Sequence, residues 1–186
     1  MPTACEPLLL PVGVFVILRD LIRDRIGMTF DDERRDLFAE KLADRVKSLG
    51  LVSFLDYYYL LKYGPDSESE WPRLTDALSV QETYFWREYD HIRVLTEILV
   101  PRHVAAGRGP IRIWCAACAT GEEPLSIAIA LQEAGWFDKI DVQIWASDVS
   151  EAALQKARGG IYRDRSFRIL SPRIKEKYFT AVAGGW

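Results

Sequence analysis

The stretch Ile111-Arg-Ile-Trp-Cys-Ala-Ala-Cys-Ala-Thr-Gly-Glu-Glu-Pro124 decides how the rest of the chain is read. Its first four residues follow a short buried-strand pattern, and a helix is expected from about Glu122 to Glu133. Between the two, Ala116, Ala117, Ala119 and Gly121 are small enough for a ligand to approach the backbone at a strand-to-helix turn. The dinucleotide pattern G-x-G-x-x-G is not matched, and two carboxylates follow Gly121 at the helix N-terminus, where they repel phosphates. That arrangement favours a ligand bearing a cation, such as an amino group or a sulfonium. A tightly packed turn with helix-capping glutamates is the alternative reading of the same residues.

Downstream, a strand Val142 to Ala146 and a helix from about Ser150 to Arg158 complete a strand, helix, strand, helix order. This is the start of a parallel α/β sheet with right-handed crossovers. The second strand ends at Asp148, 27 residues beyond Gly121. A carboxylate there is placed to accept hydrogen bonds from ribose hydroxyls, or simply to cap the following helix. A last helix begins at Ser171-Pro172, a capping residue followed by proline. Lys156 to Lys177 holds eight basic and two acidic residues and reads more as a solvated surface than as a site.

Upstream, residues 8 to 100 read as helical. Asp31 or Asp32 caps a helix with Phe38, Leu42, Val46 and Leu49 at helical spacing, stopped by Gly50. Ser53 opens the next helix through Phe54, Tyr57, Tyr58 and Leu61, which Gly64 and Pro65 end. Asp66 to Glu70 reads as a polar loop, with short helices at about 72 to 79 and 88 to 100. The rhythm changes past Pro101, so the expected division is a helical domain 1–100, a linker 101–110 and an α/β domain 111–186. Just before the last helix of the first part stands Gln81-Glu-Thr-Tyr-Phe-Trp-Arg-Glu88. Three adjacent aromatics cannot all face one core in a regular helix, which leaves Thr83 and Arg87 able to bind a polar group; core aromatics with a surface Arg are the alternative reading.

Composition narrows the function. A chain of 186 residues with 49% hydrophobic and 27% charged residues is an ordinary globular one. Its net charge of −3 conceals an acidic first hundred residues, 12 Lys and Arg against 18 Asp and Glu, and a basic remainder, 12 against 9. No dominant basic footprint points to nucleic acid. The longest apolar stretch, Leu8 to Leu18, holds Pro11 and Gly13 and falls short of the roughly 20 residues that span a bilayer, so no membrane insertion is expected. Met1 to Glu6 lacks the positive charge of a secretory leader. Three cysteines in no framework spacing point to a reducing, cytoplasmic location. No metal site is expected, because Cys115 and Cys118 have Cys5, His91 and His103 as distant partners and lack a second close pair.

The three segments, in this order, resemble the chemotaxis receptor methyltransferases. That family carries N-E-T-x-F-F-R-E in a helical domain, here Gln81 to Glu88. It continues with W-x-A-x-x-x-T-G-E-E-P-Y-S, here Trp114 to Ser126, and with A-x-D, here Ala146 to Asp148. Gly160-Ile-Tyr162 and Lys177-Tyr-Phe179 match later landmarks. The resemblance implies a small N-terminal all-helical domain followed by the first part of a Rossmann-like class I methyltransferase sheet, an α/β fold incomplete at the C-terminus. It implies S-adenosyl-L-methionine as cofactor, S-adenosylhomocysteine as product, and the cytoplasmic domain of chemotaxis receptors or chemoreceptor-like proteins as partner. Residue by residue, it places Gln81, Thr83 and Arg87 on the cofactor from the helical side, Arg87 at its methionine carboxylate. Ala117, Gly121, Glu123 and Asp148 fall on the α/β side, with Asp148 at the ribose. It also implies that a basic helix, here with Lys41, Arg45 and Lys47 interrupted by Asp44, faces the receptor.

Methyl transfer to a glutamate needs no strong general base, since the attacking carboxylate is already an anion, so no acid-base residue is assigned. Gln81 stands where the family has Asn, and Leu125 where it has Tyr. Two parallel strands do not cover their own faces, so the chain is expected to be a fragment, or to be completed by another copy or a second polypeptide. Two other functions remain: a non-catalytic scaffold of chemotaxis-like signalling, and a thiol-disulfide protein built on Cys115-Ala-Ala-Cys118.

Overall fold

The structure, a computed structural model, describes residues 8–186. The readings made of Met1 to Glu6 and of Cys5 lie outside the described residues. The chain divides into two compact units between Ser79 and Val80. Among the described residues no helix is long and apolar enough to cross a membrane.

Among the described residues the first unit is four α-helices, α1 (Val12–Ile26), α2 (Arg35–Ser48), α3 (Phe54–Tyr63) and α4 (Ser67–Leu78). Each buries a stripe at helical spacing, such as Phe38, Leu42 and Val46 of α2, which meet Phe15, Leu18 and Ile22 of α1 in one core. One stop and one start behave as the residues require. Gly50 takes φ 69°, and the Leu51 and Gly50 amides donate to the Val46 and Lys47 carbonyls, closing α2 in a Schellman turn. The Ser53 hydroxyl accepts from the Asp56 amide and caps α3. Asp31 makes no side-chain cap, because α2 is entered through a 3-10 turn at Asp32–Arg34 and Asp32 instead pairs with Arg19.

The polar run at 66–70 is not a loop. Helix α4 starts at Ser67, and Glu70 is buried, its carboxylate accepting from Arg45 and from the Tyr57 hydroxyl. Glu68 and Glu70 in the first turn suit the positive end of the helix, and Pro72 is carried inside it. This network also redirects the basic helix. Arg45 is held by Glu70, and Lys41 donates to the Leu78 carbonyl at 2.9 Å, so two of its three cations are engaged within the unit.

In the second unit, α5 (Tyr89–Val94) runs through a π-helical stretch, Leu95–Leu99, into α6 (Val100–Ala105). The helix therefore continues past Pro101. A proline has no N–H for the ladder, and the wide turn just before it is where the regular bonding is interrupted. The expected boundary at 101–110 thus falls inside this unit, and residues 80–100 group with the α/β part. Strands β1 (Ile111–Ala116) and β2 (Val142–Ser147) pair in parallel from Ile111 with Val142 to Ala116 with Ser147. They are joined by α7 (Glu122–Glu133), and α8 (Glu151–Gly159) and α9 (Pro172–Tyr178) follow. One apolar cluster centres on Cys115, Ile127 and Leu131, another on Phe85, Tyr162 and Phe167. The opposite face of the sheet leaves Trp114 and Trp145 side by side and 72% and 63% exposed.

Candidate functional site

Backbone strain locates the site. The non-glycine residues with positive φ among those described are Trp86 (64°), Glu88 (52°), Ala117 (62°) and Ala119 (47°). Each costs on the order of 1–3 kcal/mol and persists only where its surroundings impose it. All of them lie in two short segments, the turn after Tyr84 and the β1 to α7 turn, and these segments border one cleft of about 270 Å³.

Both segments are pinned. The Phe85 ring is fully buried, stacked on Phe167 at 5.0 Å with Tyr162 and Phe179 at its edges, and its amide donates to the Ser166 carbonyl. The Trp86 amide donates to the Ser126 hydroxyl of α7 at 3.0 Å, and its ring stacks on Tyr89. Tyr84 points elsewhere, beneath the Arg168 guanidinium at 3.6 Å. The three aromatics therefore diverge, as their adjacency requires. On the other side the Cys118 amide donates to the Ser147 carbonyl and the Ala119 amide to Asp148 Oδ2 at 2.8 Å.

Thr83, Arg87, Ala117 and Glu123 all line the cleft, and Arg87 donates to the Glu82 carbonyl at 2.6 Å. The other expected residues do not line it. Gln81 donates to the Ser150 hydroxyl at 2.6 Å. Asp148 accepts from the Ala119 and Ser150 amides, one with each oxygen, so its carboxylate braces the turn and the start of α8. Gly121, at φ 93°, sits where a Cβ would come within 2.9 Å of the Ala157 Cβ and 3.0 Å of the Tyr162 hydroxyl. Its smallness serves helix packing there. Sequence reasoning missed Glu88 and His91, which also line the cleft. His91 lies in α5 and Arg87 in the turn before it, with Glu88 at φ 52° between them, so the turn and not helical spacing brings them to one cleft, and no periodic signal marks the pair.

Adjacent glutamates at the start of α7 have different fates. Glu123 is exposed to the cleft, whereas Glu122 is 2% exposed and accepts from the Thr120 and Ser166 hydroxyls at 2.6 and 2.9 Å. Cys115 and Cys118 are both free and buried. Burial and the nearby Glu123 push the Cys115 thiol up to about 12, and burial with Asp148 raises Cys118. A reactive thiol needs the opposite shift, which argues against the thiol-disulfide reading.

The parallel strands, the small-residue turn and the facing motif define a Rossmann-type S-adenosylmethionine-binding unit that follows a helical one in the chain. Residues 81–186 match the CheR methyltransferase SAM binding domain, and residues 14–79 match the CheR methyltransferase all-alpha domain. The chain belongs to the CheR methyltransferase family, and the cofactor of its matched domain is S-adenosylmethionine. It is 38% identical over 164 residues to the chemotaxis protein methyltransferase of Salmonella typhimurium, covering 88% of this chain and 55% of that protein. It is 35% identical over 179 residues to the one of Escherichia coli, covering 96% and 60%. A probable biofilm formation methyltransferase, WspC of Pseudomonas putida, is 29% identical over 165 residues, covering 88% and 38%. The chain thus spans little more than half the length of the chemotaxis relatives it matches.

Proposed function

We propose that this chain is the cofactor-binding portion of a protein-glutamate O-methyltransferase. Its substrate would be the cytoplasmic domain of chemotaxis receptors or chemoreceptor-like proteins, which sets its location in the cytoplasm. S-adenosylmethionine supplies a methyl group on a sulfonium, and S-adenosylhomocysteine is the product. The observation that carries this reading is the cleft in which Thr83 and Arg87 face Ala117 and Glu123.

The donor set fits that cofactor. The Arg87 guanidinium matches an amino-acid carboxylate, and the Glu88 and Glu123 carboxylates match ammonium and sulfonium charges. Ala117 and Ala119 hold strained backbone with no more than a methyl group each, which keeps the cleft open. At about 270 Å³ the cleft is slightly below the roughly 300–1,000 Å³ of small-molecule sites, a size suited to the charged amino-acid end of the cofactor. Asp148 acts by fixing Ala119, and Gln81 by fixing Ser150. A receptor carboxylate is already an anion and would accept the methyl group that the bound cofactor supplies. No proton moves, so the chain's part is alignment and exclusion of water.

Calorimetric titration with S-adenosylhomocysteine tests the reading. Arg87→Ala and Glu123→Ala should each weaken binding by about tenfold or more, the worth of a charge-assisted contact. Replacing Cys115 and Cys118 by Ala should leave it nearly unchanged. No binding by the unaltered chain, or equal binding by every variant, removes the proposal. Transfer of labelled methyl to a receptor cytoplasmic domain separates catalysis from the second reading, a non-catalytic binding role, which rests on the partial span of the relatives. The exposed Trp114 and Trp145 face is where a further polypeptide, a second copy or another chain, would cover the sheet.

A further inference from the structure

The basic stretch from Lys156 to Lys177 is not uniform. Arg158, Arg168, Arg173, Lys175 and Lys177 each pair with a carboxylate: Glu151, Glu82, Glu133, Asp164 and again Glu133. Among the described residues Lys156, Arg163 and Arg165 form no ion pair. These three cations line two neighbouring clefts of about 370 and 380 Å³, which share Lys156 and Arg165. The second of these clefts is also bordered by Glu82 and Thr83, which border the cofactor cleft. A trough with unpaired cations therefore leads up to the wall of the cofactor cleft.

Two carboxylates line this trough, and both are occupied. Glu82 pairs with Arg168 at 3.3 Å. Glu122 is buried under the Thr120 and Ser166 hydroxyls, at the positive end of α7. Neither neutralises the three cations through an ion pair, so an arriving anion meets positive charge without displacing a native partner. A polyphosphate chain fits less well, since the whole chain carries −3 and its dense charge would run over Glu82.

We propose that the trough of Lys156, Arg163 and Arg165 is the docking groove for an acidic segment of the protein substrate, whose target carboxylate reaches past Thr83 into the cofactor cleft. This rests on the methyltransferase reading for the fate of the carboxylate, but the docking is measurable by itself. Charged groups at the rim steer and orient such a segment more than they add affinity, so binding should weaken with salt.

Fluorescence anisotropy of a labelled glutamate-rich peptide, with the intact chain, reads the docking, and calorimetry with S-adenosylhomocysteine on the same samples reads the cofactor cleft. The double variant Lys156→Glu/Arg165→Glu should weaken peptide binding by about tenfold or more. Arg112→Glu, an exposed change of the same sign on β1, should alter it by less than about twofold, and cofactor affinity should stay the same in both. If the double variant melts below the parent, Lys156→Gln/Arg165→Gln is read instead, with a loss of about threefold expected. The proposal is overturned if the charge variants bind the peptide as the parent does or if Arg112→Glu weakens it equally. It is also overturned if a glutamine-rich peptide or a single-stranded oligonucleotide binds as tightly. Loss of S-adenosylhomocysteine binding with charge-dependent docking intact would remove the methyl-transfer reading and leave the groove.

Discussion

Among the described residues each unit buries one glutamate, and the two are handled in opposite ways. In the helical unit Glu70 meets a bidentate Arg45 and the Tyr57 hydroxyl, so its charge is matched within the unit. In the α/β unit Glu122 has two hydroxyl donors and a helix N-terminus, while the cations around it stay unpaired. The strained non-glycine residues also fall only in the second unit among those described. The difference teaches where each buried charge is directed: the first unit matches its glutamate with a cation from its own helices, and the second leaves strained backbone and unpaired cations facing clefts.

Alkaline titration should separate the units most. Burial raises the Cys115 thiol from 9.0 to about 12 and the Tyr162 phenol from 10.0 to about 12. Both folded values exceed the unfolded ones, so their stability contribution is full below pH 9 and is lost as pH rises toward 12. Each unit of difference is worth about 1.4 kcal/mol. In the helical unit Tyr57 is raised by burial and by Glu70, and its ordinary value of 10.0 sets a later onset. Tryptophan fluorescence reports mainly the second unit, since Trp71 alone of the six lies in the first. It should report unfolding beginning above pH 9, and Cys115→Ala should move that onset upward. An unchanged onset would contradict the burial argument.

Breaking the matched pair comes next. Arg45→Met leaves the buried Glu70 with the Tyr57 hydroxyl and only the more distant Arg73, at 3.9 Å, and should destabilise the helical unit by about 3 kcal/mol in urea unfolding. A loss under about 1 kcal/mol would mean that water reaches Glu70 and that the first unit is less closed than argued. Smaller again, Gly121→Ala should cost about 2 kcal/mol, from a Cβ pressed against Ala157 and Tyr162 and from its positive φ. Its effect on S-adenosylhomocysteine affinity should be indirect and slight, because Gly121 does not line the cofactor cleft.

Much of this was legible before any coordinates. Ser53 and Gly50 act as cap and stop because each requirement is local, one hydroxyl for one amide and one residue at positive φ. The strand, turn, helix reading of Ile111 to Glu133 rests on the same short-range rules. Legibility failed where a residue's partner lies far along the chain. Glu70 in a polar run looks solvated until Arg45 and Tyr57, 25 and 13 residues away, are brought to it. Pro101 looks like a break until the π-helical stretch before it is seen to carry the helix on.

The amino-acid order alone determined the family motifs, the two strands, the Ser53 cap, the Gly50 stop and the small-residue turn between β1 and α7, because spacing encodes periodicity and backbone allowance. Tertiary structure alone decided which of two neighbouring glutamates points into the cleft, and that Asp148 braces the Ala119 amide. It also decided which cations of the basic stretch are left unpaired. Those outcomes depend on what packs opposite each side chain, and a neighbour 29 residues away in sequence, as Asp148 is from Ala119, has no local signature.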